Sequence, residues 1–124
     1  MQVSRKEQLT RDYLALVDRH LDDLLAQRVS DMLELNQIAD TLCVSHKHLI
    51  AVVKETRGEH PCHFYVQKII ERSKELLQDS DLPAAEIARL LSYDPSNFSK
   101  FFRKYVGKTP GQFRAESTGV LLSV

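Results

Sequence analysis

The stretch AEIARLLSYDPSNFSKFFRKYVGKTPGQFR, residues 85–114, decides the fold of this 124-residue chain. Its first seven residues have the apolar spacing of a short helix, and Asp94 followed by Pro95 is typical of the start of a second helix. That second helix places aromatic rings at helical spacing and stops at Gly107, since glycine commonly follows the last turn of a helix. The stretch therefore predicts two helices joined by a short turn.

The same apolar pattern occurs 49 residues earlier in the chain. Around Ala39 and around Ala88, apolar residues stand one position before the alanine and three, five, ten and thirteen positions after it. The first set is Ile38, Leu42, Val44, Leu49 and Val52, and the second is Ile87, Leu91, Tyr93, Phe98 and Phe101. Two helices that cross steeply need a small residue where their axes approach, an apolar plug in the turn and a buried stripe on each helix. The repeat therefore predicts two helix-turn-helix units, whose second helix can enter a DNA major groove.

Helical spacing continues through the rest of the chain, and we find no convincing alternating strand. It predicts a long first helix over roughly residues 6–27 and a linker helix over roughly residues 61–78, which Pro61 can open. A short final helix or turn is predicted at Pro110. The expected fold is all-α with about seven helices, a homeodomain-like pair of helix-turn-helix subdomains joined by a long linker helix.

We predict four segments along the chain. The N-terminal helix and the first helix-turn-helix occupy residues 1–60, and the linker helix occupies residues 61–78. The second helix-turn-helix occupies residues 79–114, and a C-terminal tail of unassigned role occupies residues 115–124.

The composition is that of an ordinary globular domain, with 43% apolar and 27% charged residues. No apolar run approaches the roughly 20 residues of a membrane span, and no signal-peptide pattern opens the chain. The net charge is zero, which by itself argues mildly against a nucleic-acid binder. The charge is uneven, however, because residues 98–114 carry five basic side chains and no acidic one. Local fields decide what a surface attracts, so a cationic surface is expected there.

The cysteine and histidine residues do not have the spacing of a disulfide framework or a structural zinc site. Cys43 and Cys62 indicate a reducing, cytosolic setting, and we expect both to be small buried hydrophobic side chains. A loose group lacks the paired spacing of zinc ligands: His46, His48, His60, Cys62 and His63. Ser45 is typical of a helix cap, and no spacing suggests an acid–base pair. We therefore expect no metal, no cofactor and no enzyme activity.

Four segments of the chain match the pattern of a known family: LNQIADTLCVSHKHL (35–49), ERSKELL (71–77), AEIARLL (85–91) and SNFSKFFRKYVGKTPGQFR (96–114). On these segments the sequence resembles the AraC/XylS-type transcription regulators, whose DNA-binding domain holds two helix-turn-helix units bridged by a long helix. The last segment is the most specific, because its phenylalanines, basic pair, Gly-x-Thr-Pro and Phe-Arg stand at the family spacing. Two turns depart from the family pattern: Cys43 stands where many members carry glycine, and Ser92-Tyr93 replaces the common Gly-Phe.

The resemblance implies a sequence-specific transcription regulator that inserts two recognition helices into successive major-groove segments of double-stranded DNA. It also implies RNA polymerase as a partner and a bacterial, cytoplasmic protein, associated with the nucleoid when bound to DNA. A monomer on DNA is favoured over an obligate dimer, because one chain with two units can cover an asymmetric site. The chain has no room for the effector-binding domain that members commonly carry. It is therefore either a short stand-alone member or a fragment, and Met1 favours the former.

The second helix of the second unit has two chemically different faces. At about 100° per residue, four aromatic rings fall on one arc, which we expect to be buried against the unit: Phe98, Phe101, Phe102 and Tyr105. The opposite arc is small and polar at its start and cationic further along, which suits a helix tip in a major groove. The residues expected to face bases are Pro95, Ser96, Asn97 and Lys100. Those expected to contact phosphates are Ser99, Arg103 and Lys104, with Lys108, Thr109 and Arg114 in the following turn.

The corresponding helix of the first unit has a less polar outward face. The residues expected to face bases are His46, Lys47, Ile50 and Ala51, and those expected to contact phosphates are Ser45 and Lys54. Ile50 and Ala51 cannot donate or accept a hydrogen bond through their side chains, but they can touch a thymine methyl group.

A protein–protein interaction module remains the alternative. In that case the broad apolar face of the first helix and residues 120–124 would bind a partner, and the two helix pairs would serve as a scaffold. Zero net charge favours this alternative, whereas the cationic side chains in residues 100–114 oppose it.

Overall fold

A computed structural model describes residues 3–122 of the chain, with side chains described through Ser117. Residues 3–122 form seven α-helices and no strand, which confirms the all-α expectation. The helices are α1 (Arg5–Leu25), α2 (Leu35–Thr41), α3 (His46–Arg57), α4 (Pro61–Asp79), α5 (Ala84–Leu90), α6 (Pro95–Val106) and α7 (Pro110–Leu122). Over this part of the chain, no helix is both long and apolar enough to span a bilayer.

The ends of α3 and α6 follow the capping signals in the sequence. The side chains of Ser45 and Asp94 accept hydrogen bonds from backbone N–H groups in the first turns of α3 and α6. Gly58 and Gly107 end the same two helices in the left-handed conformation, with φ of 82° and 88°. Side-chain caps and left-handed glycines satisfy the N–H and C=O groups that a helix leaves unpaired at its ends, so both boundaries were predictable.

The chain divides into two compact units, Met1–Lys68 and Ile69–Val124. The first unit holds the α2–α3 helix-turn-helix and the second holds α5–α6, while α4 contributes residues to both. α7 is longer than the sequence predicts, because it continues through most of the expected tail, and residues 123–124 lie outside the described part. The division into four predicted segments stays a prediction.

The apolar face of α1 is buried inside the first unit. Tyr13, Val17 and Leu21 are 0% exposed. The buried residues of α3 in the same unit are Leu49, Val52 and Val53. The interaction-module alternative needs the face of α1 to be accessible, so that part of the alternative is wrong. The other part falls on residues 120–124, whose side chains lie outside the described part.

A charged cluster joins the first turn of α1 to the last turn of α3. The Arg57 guanidinium donates two hydrogen bonds to Glu7, at 2.6 Å from Nη1 to Oε1 and 2.7 Å from Nη2 to Oε2. Arg11 Nε donates to Glu7 Oε2 at 2.9 Å. These donors, Arg57 first, lower the pKa of Glu7 from 4.5 to about 2. The cluster therefore helps to hold α3 against α1.

The free energy of unfolding of the first unit should fall at low pH, because Glu7 becomes protonated and its ion pairs are lost. The unfolded chain binds a proton at Glu7 near pH 4.5 and the folded chain only near pH 2, so this contribution is complete above pH 4.5 and is lost as pH falls towards 2. Glu7→Gln should make the free energy of unfolding depend less on pH between 4.5 and 2, as measured by urea unfolding at a series of pH values. Glu59→Gln is the control, because Glu59 is exposed and forms no ion pair among the residues described. An identical curve for wild type and Glu7→Gln would contradict this role.

The two helix pairs close through the same hydrogen-bonded turn. The Val44 N–H donates to the Ala39 carbonyl at 3.0 Å, and the Tyr93 N–H donates to the Ala88 carbonyl at 2.8 Å. Ala39 is 1% exposed and Ala88 0% exposed, as expected where two helix axes approach closely. The 49-residue repeat seen in the sequence is therefore also a repeat of backbone geometry.

One residue of each turn adopts the left-handed conformation without being glycine. Cys43 has a φ of 61° and Ser92 a φ of 68°. This conformation costs a non-glycine residue roughly 1–2 kcal/mol. Replacement by glycine removes that cost, but the gain in stability is smaller than the cost, because glycine loses more conformational entropy on folding. We therefore expect Ser92→Gly to raise the free energy of unfolding of the second unit by roughly 0.5–1 kcal/mol in urea titrations. Ser96→Gly, in the first turn of α6, is the matched control and should lower it by roughly 0.5 kcal/mol or less, because serine lies between alanine and glycine in helix propensity. A lower free energy of unfolding for Ser92→Gly than for wild type would contradict backbone strain at Ser92.

The second unit buries only two of the four aromatic rings of α6. Phe98 and Phe102 are 1% and 0% exposed. Phe101 is half-buried and Tyr105 is 51% exposed, so the expectation that all four rings are buried is wrong. Phe101 stacks on Tyr93 with ring centroids 5.2 Å apart, and Tyr105 packs on Phe101 at the same distance. Tyr93, Phe101 and Tyr105 therefore form a row of packed rings that runs from the edge of the core to the surface.

Both cysteines are exposed, so the expectation of buried side chains is wrong. Cys43 occupies the left-handed position of the first turn, and Cys62 lies in the first turn of α4. Neither position belongs to the buried stripe of a helix, and the small size of the side chain does not by itself secure burial.

Candidate nucleic-acid interface

The face of α6 opposite Phe98 and Phe102 is directed outward. Burial of these two rings fixes the rotation of α6 about its axis, so the opposite arc remains accessible. The predicted contact residues on or beside that arc are exposed, or half-buried in the case of Ser99: Ser96, Asn97, Ser99, Lys100 and Arg103. The structure brings these five residues together on one surface, the α6 outer face. Pro95, also predicted to face bases, is half-buried and lies about 40° from the middle of the arc of Phe98 and Phe102 at 100° per residue, so it is not part of this face.

The cations of the α6 outer face are not neutralised within the fold. Among the residues described, Lys100 and Arg103 form no ion pair and no side-chain hydrogen bond. Arg57 and Lys68, in contrast, are ion-paired with carboxylates at 2.6 and 3.0 Å. Unpaired surface cations leave their field available to an anionic partner.

Lys104 lies at the edge of the α6 outer face. Its side chain is exposed, and Nζ stands 5.3 Å from the centre of the Tyr105 ring. A cation–π contact at an exposed site contributes roughly 0.5–1 kcal/mol, which an incoming phosphate can outweigh. The phosphate contact of Lys104 therefore stays a prediction that its surroundings allow.

Lys108 and Thr109 have partners within the second unit. Lys108 Nζ is ion-paired with the Glu116 carboxylate. Thr109 caps α7, because its hydroxyl accepts from the Gln112 N–H at 3.2 Å while its own N–H donates to Gln112 Oε1 at 3.0 Å. Both residues therefore have partners within the second unit and lie outside the α6 outer face, and their phosphate contacts stay predictions.

Arg114 has a structural role as well. Its Nε donates to the Leu77 carbonyl at 3.0 Å, and Nη2 donates to the Ser80 carbonyl at 3.2 Å. Cations near the end of a helix stabilise its unpaired carbonyl groups. The guanidinium therefore closes the end of α4, and the phosphate contact of Arg114 stays a prediction.

α3 presents a second outward face, which we call the α3 outer face. Its predicted contact residues are exposed, except that Ile50 is half-buried: Ser45, His46, Lys47, Ile50, Ala51 and Lys54. Lys47 and Lys54 form no ion pair among the residues described. The Ser45 oxygen accepts the His48 N–H at 3.0 Å, which leaves its hydroxyl proton for an acceptor such as a phosphate oxygen.

Asp94 lies at this site but is not among the predicted contact residues. In the sequence, Asp94 stands out only as the cap of α6, but its carboxylate is exposed beside the N-terminal end of the α6 outer face. Oδ2 accepts from the Ser96 N–H at 3.1 Å and from the Asn97 N–H at 3.2 Å. The 49-residue repeat carries the signal that identifies it, because Asp94 corresponds to Ser45.

The histidine and cysteine residues do not assemble a metal site in the described part of the chain. Within residues 3–122, no three side chains of histidine, cysteine, aspartate or glutamate come close enough to hold an ion together. His60 Nδ1 instead accepts the Cys62 N–H at 3.0 Å, at the start of α4.

Comparison with known proteins places this geometry in a family. A family model described as "Helix-turn-helix domain" matches residues 38–116, more than half of the chain. The Msm operon regulatory protein of Streptococcus mutans serotype c is 30% identical over 94 residues, which cover 75% of this chain and 34% of that protein. The chain therefore spans about a third of the length of that relative.

Solved structures share the fold. The C-terminal domain of AraT, a response regulator from Geobacillus stearothermophilus, superposes with a TM-score of 0.77 at 30% identity, covering 91% of this chain and 88% of that one. The DNA-binding domain of AdpA, a global transcriptional factor solved in complex with a target DNA, superposes with a TM-score of 0.66 at 21% identity. The AdpA match covers 83% of this chain and 90% of that domain, and at this identity it shows the fold alone.

Proposed function

Because this chain belongs to the AraC-type helix-turn-helix family, we propose that it binds double-stranded DNA at specific sequences and regulates transcription. The α3 and α6 outer faces enter the major groove, and each unit reads a short segment of the site. The family supplies the class of activity, and the two outer faces supply the residues that perform it.

One observation carries the proposal. On the α6 outer face, small polar side chains come first and unpaired cations follow: Ser96 and Asn97, then Lys100 and Arg103. The tip of a helix in the major groove meets base edges, while its later turns pass the phosphates. The order of residues along α6 supports this division of roles.

Each side chain has a specific task in this mechanism. Ser96 and Asn97 both donate and accept hydrogen bonds, so they suit several base edges, and Lys100 donates to the N7 and O6 acceptors of guanine. Arg103 and Lys104 contact phosphates, which fix the register of α6 without selecting a sequence. On the α3 outer face, His46 and Lys47 supply polar contacts, Ile50 and Ala51 meet thymine methyl groups, and Ser45 and Lys54 contact phosphates.

Both outer faces act on one duplex in this proposal. They occupy successive major-groove segments about 34 Å apart, which is one turn of B-DNA. A single chain then covers an asymmetric site and does not need to dimerise. The protein acts in the bacterial cytoplasm, associates with the nucleoid when bound, and positions or recruits RNA polymerase. The operon-regulatory name of the Streptococcus mutans relative supports a role in transcription.

The salt dependence of DNA binding tests the proposal. Titration of random-sequence duplex DNA with the whole chain, at a series of salt concentrations, should give affinity that falls steeply with salt. Each contacted phosphate contributes about −0.9 to the log–log slope, so contacts from Lys54, Arg103 and Lys104 predict a slope of roughly −3. Arg28→Ala is the control, because Arg28 is ion-paired with Asp23 outside both outer faces and its loss should leave the slope unchanged. No affinity for duplex DNA at low salt would overturn the proposed function.

A further inference from the structure

The carboxylate of Asp94 places a negative charge at the end of the α6 outer face that meets the bases. Its Oδ2 accepts two backbone hydrogen bonds, from Ser96 and Asn97. No hydrogen bond or ion pair engages Oδ1 among the residues described, and the side chain is exposed. One carboxylate oxygen therefore holds the helix start, and the other remains free to accept a hydrogen bond.

This arrangement changes what the tip of α6 attracts. The N–H groups of Ser96 and Asn97 are already satisfied, so they are not available to a phosphate oxygen. The negative charge of Asp94 repels phosphates at the same place. Lys100 follows six residues later, roughly 9 Å along the helix at 1.5 Å per residue. Negative and positive groups are thus separated along one face.

The first unit lacks this charge. Ser45 stands in the position that corresponds to Asp94, caps α3 through its hydroxyl, and is neutral. Both residues serve as caps, so capping alone does not distinguish serine from aspartate. The difference between the two tips is the charge that they present outward.

We propose that Asp94 is a specificity-determining residue, which accepts a hydrogen bond from an exocyclic amino group in the major groove. The amino groups at cytosine N4 and adenine N6 are donors of this kind. Guanine O6 and thymine O4 are acceptors, so they cannot donate to a carboxylate and are repelled by its charge. Asp94 therefore selects cytosine or adenine at one base of the site and rejects guanine and thymine there. This inference rests on the proposed function, because it assigns a base preference to the same α6 outer face.

Selection from a random duplex pool tests the inference, with wild type, Asp94→Ser and Asp94→Asn compared. Serine and asparagine both cap helices well, so the start of α6 is retained, and circular dichroism verifies that each variant folds. Wild type should enrich a motif with one position restricted to cytosine or adenine, preferred by roughly tenfold over guanine and thymine. Asp94→Ser should lose the restriction at that position alone, and Asp94→Asn, whose amide also donates, should accept guanine or thymine there.

The outcomes separate this inference from the proposed function. If wild type enriches a motif and Asp94→Ser enriches the same motif with every position unchanged, Asp94 is only a cap and the inference is overturned. If wild type enriches no motif, sequence-specific binding itself fails, and the inference fails with it. If Asp94→Asn retains the full preference of wild type, the carboxylate is not the selecting group.

Discussion

Replacing Phe102 with alanine should lower the free energy of unfolding of the second unit by about 3–5 kcal/mol. The Phe102 ring is 0% exposed and lies between two other rings, with centroids 6.0 Å from Phe98 and 5.7 Å from Phe113. Phe98 shares α6 with it and Phe113 lies on α7, so the ring joins these two helices. Its removal leaves a cavity that the surrounding helices can fill only by moving. The loss is a large part of the roughly 5–15 kcal/mol that stabilises a typical domain.

Tyr105→Ala on the same helix is the matched control. Tyr105 is 51% exposed and packs mainly on the Phe101 ring, so its loss should cost no more than about 1.5 kcal/mol. Urea unfolding followed by circular dichroism measures both variants, and DNA binding should fail for Phe102→Ala under conditions where Tyr105→Ala still binds. Equal losses of stability in the two variants would show that the described core of α6 is misplaced.

The second large effect concerns sequence discrimination by α6. Lys100→Ala should reduce the ratio between the affinities for a selected duplex and a random duplex by roughly tenfold, because a lysine contact to guanine is lost. Arg103→Ala should weaken binding to both duplexes by a similar factor and make the salt slope shallower by about 0.9, because a phosphate contact is lost. The two residues lie three positions apart on one exposed face, so the contrast tests the roles assigned along the helix.

Competition binding at fixed salt measures the discrimination ratio for each variant. Arg28→Ala, which removes an exposed cation that is ion-paired with Asp23, controls for the loss of charge alone. An unchanged ratio for Lys100→Ala would remove its base-reading role. A ratio that falls for Arg103→Ala as much as for Lys100→Ala would remove the distinction between base and phosphate contacts.

The local structure of this protein was predictable because local rules govern it. Ala39 and Ala88, with apolar residues at matching offsets, predict the two helix-turn-helix units from spacing alone. The caps Ser45 and Asp94 predicted where α3 and α6 begin. Each of these features depends on residues within a few turns of the chain, and backbone hydrogen-bonding requirements leave few alternatives.

Burial was less predictable, because helical spacing gives the direction of a side chain but not what covers it. Tyr105 shares an arc with Phe98, yet no other helix covers it to the same extent, and it stays half-exposed. Cys43 is exposed because it occupies the turn rather than a buried stripe, and its left-handed conformation is not encoded by a glycine. Such outcomes depend on packing between distant segments, which residue spacing does not contain.

For the predicted contact residues, outward exposure on α6 was predictable, but bonding within the fold was not. Lys100 and Arg103 lie on an outward face as expected, since the buried rings opposite them fix that face. Arg114 instead binds the Leu77 and Ser80 carbonyls, 37 and 34 residues away in sequence. A basic residue near a recognition helix has the same appearance in sequence whether it contacts a phosphate or closes another helix, so only the fold separates the two roles.

Guanine-methylation interference on a selected duplex tests the central claim most directly, because methylation at N7 blocks the major groove at single bases. The account predicts two groups of interfering guanines, centred about one helical turn, or 10–10.5 base pairs, apart on one side of the duplex. Lys100→Ala should weaken only one group, and Lys47→Ala only the other. A single group of interfering positions, or two groups that both depend on the same helix, would contradict a protein that reads DNA with α3 and α6 together.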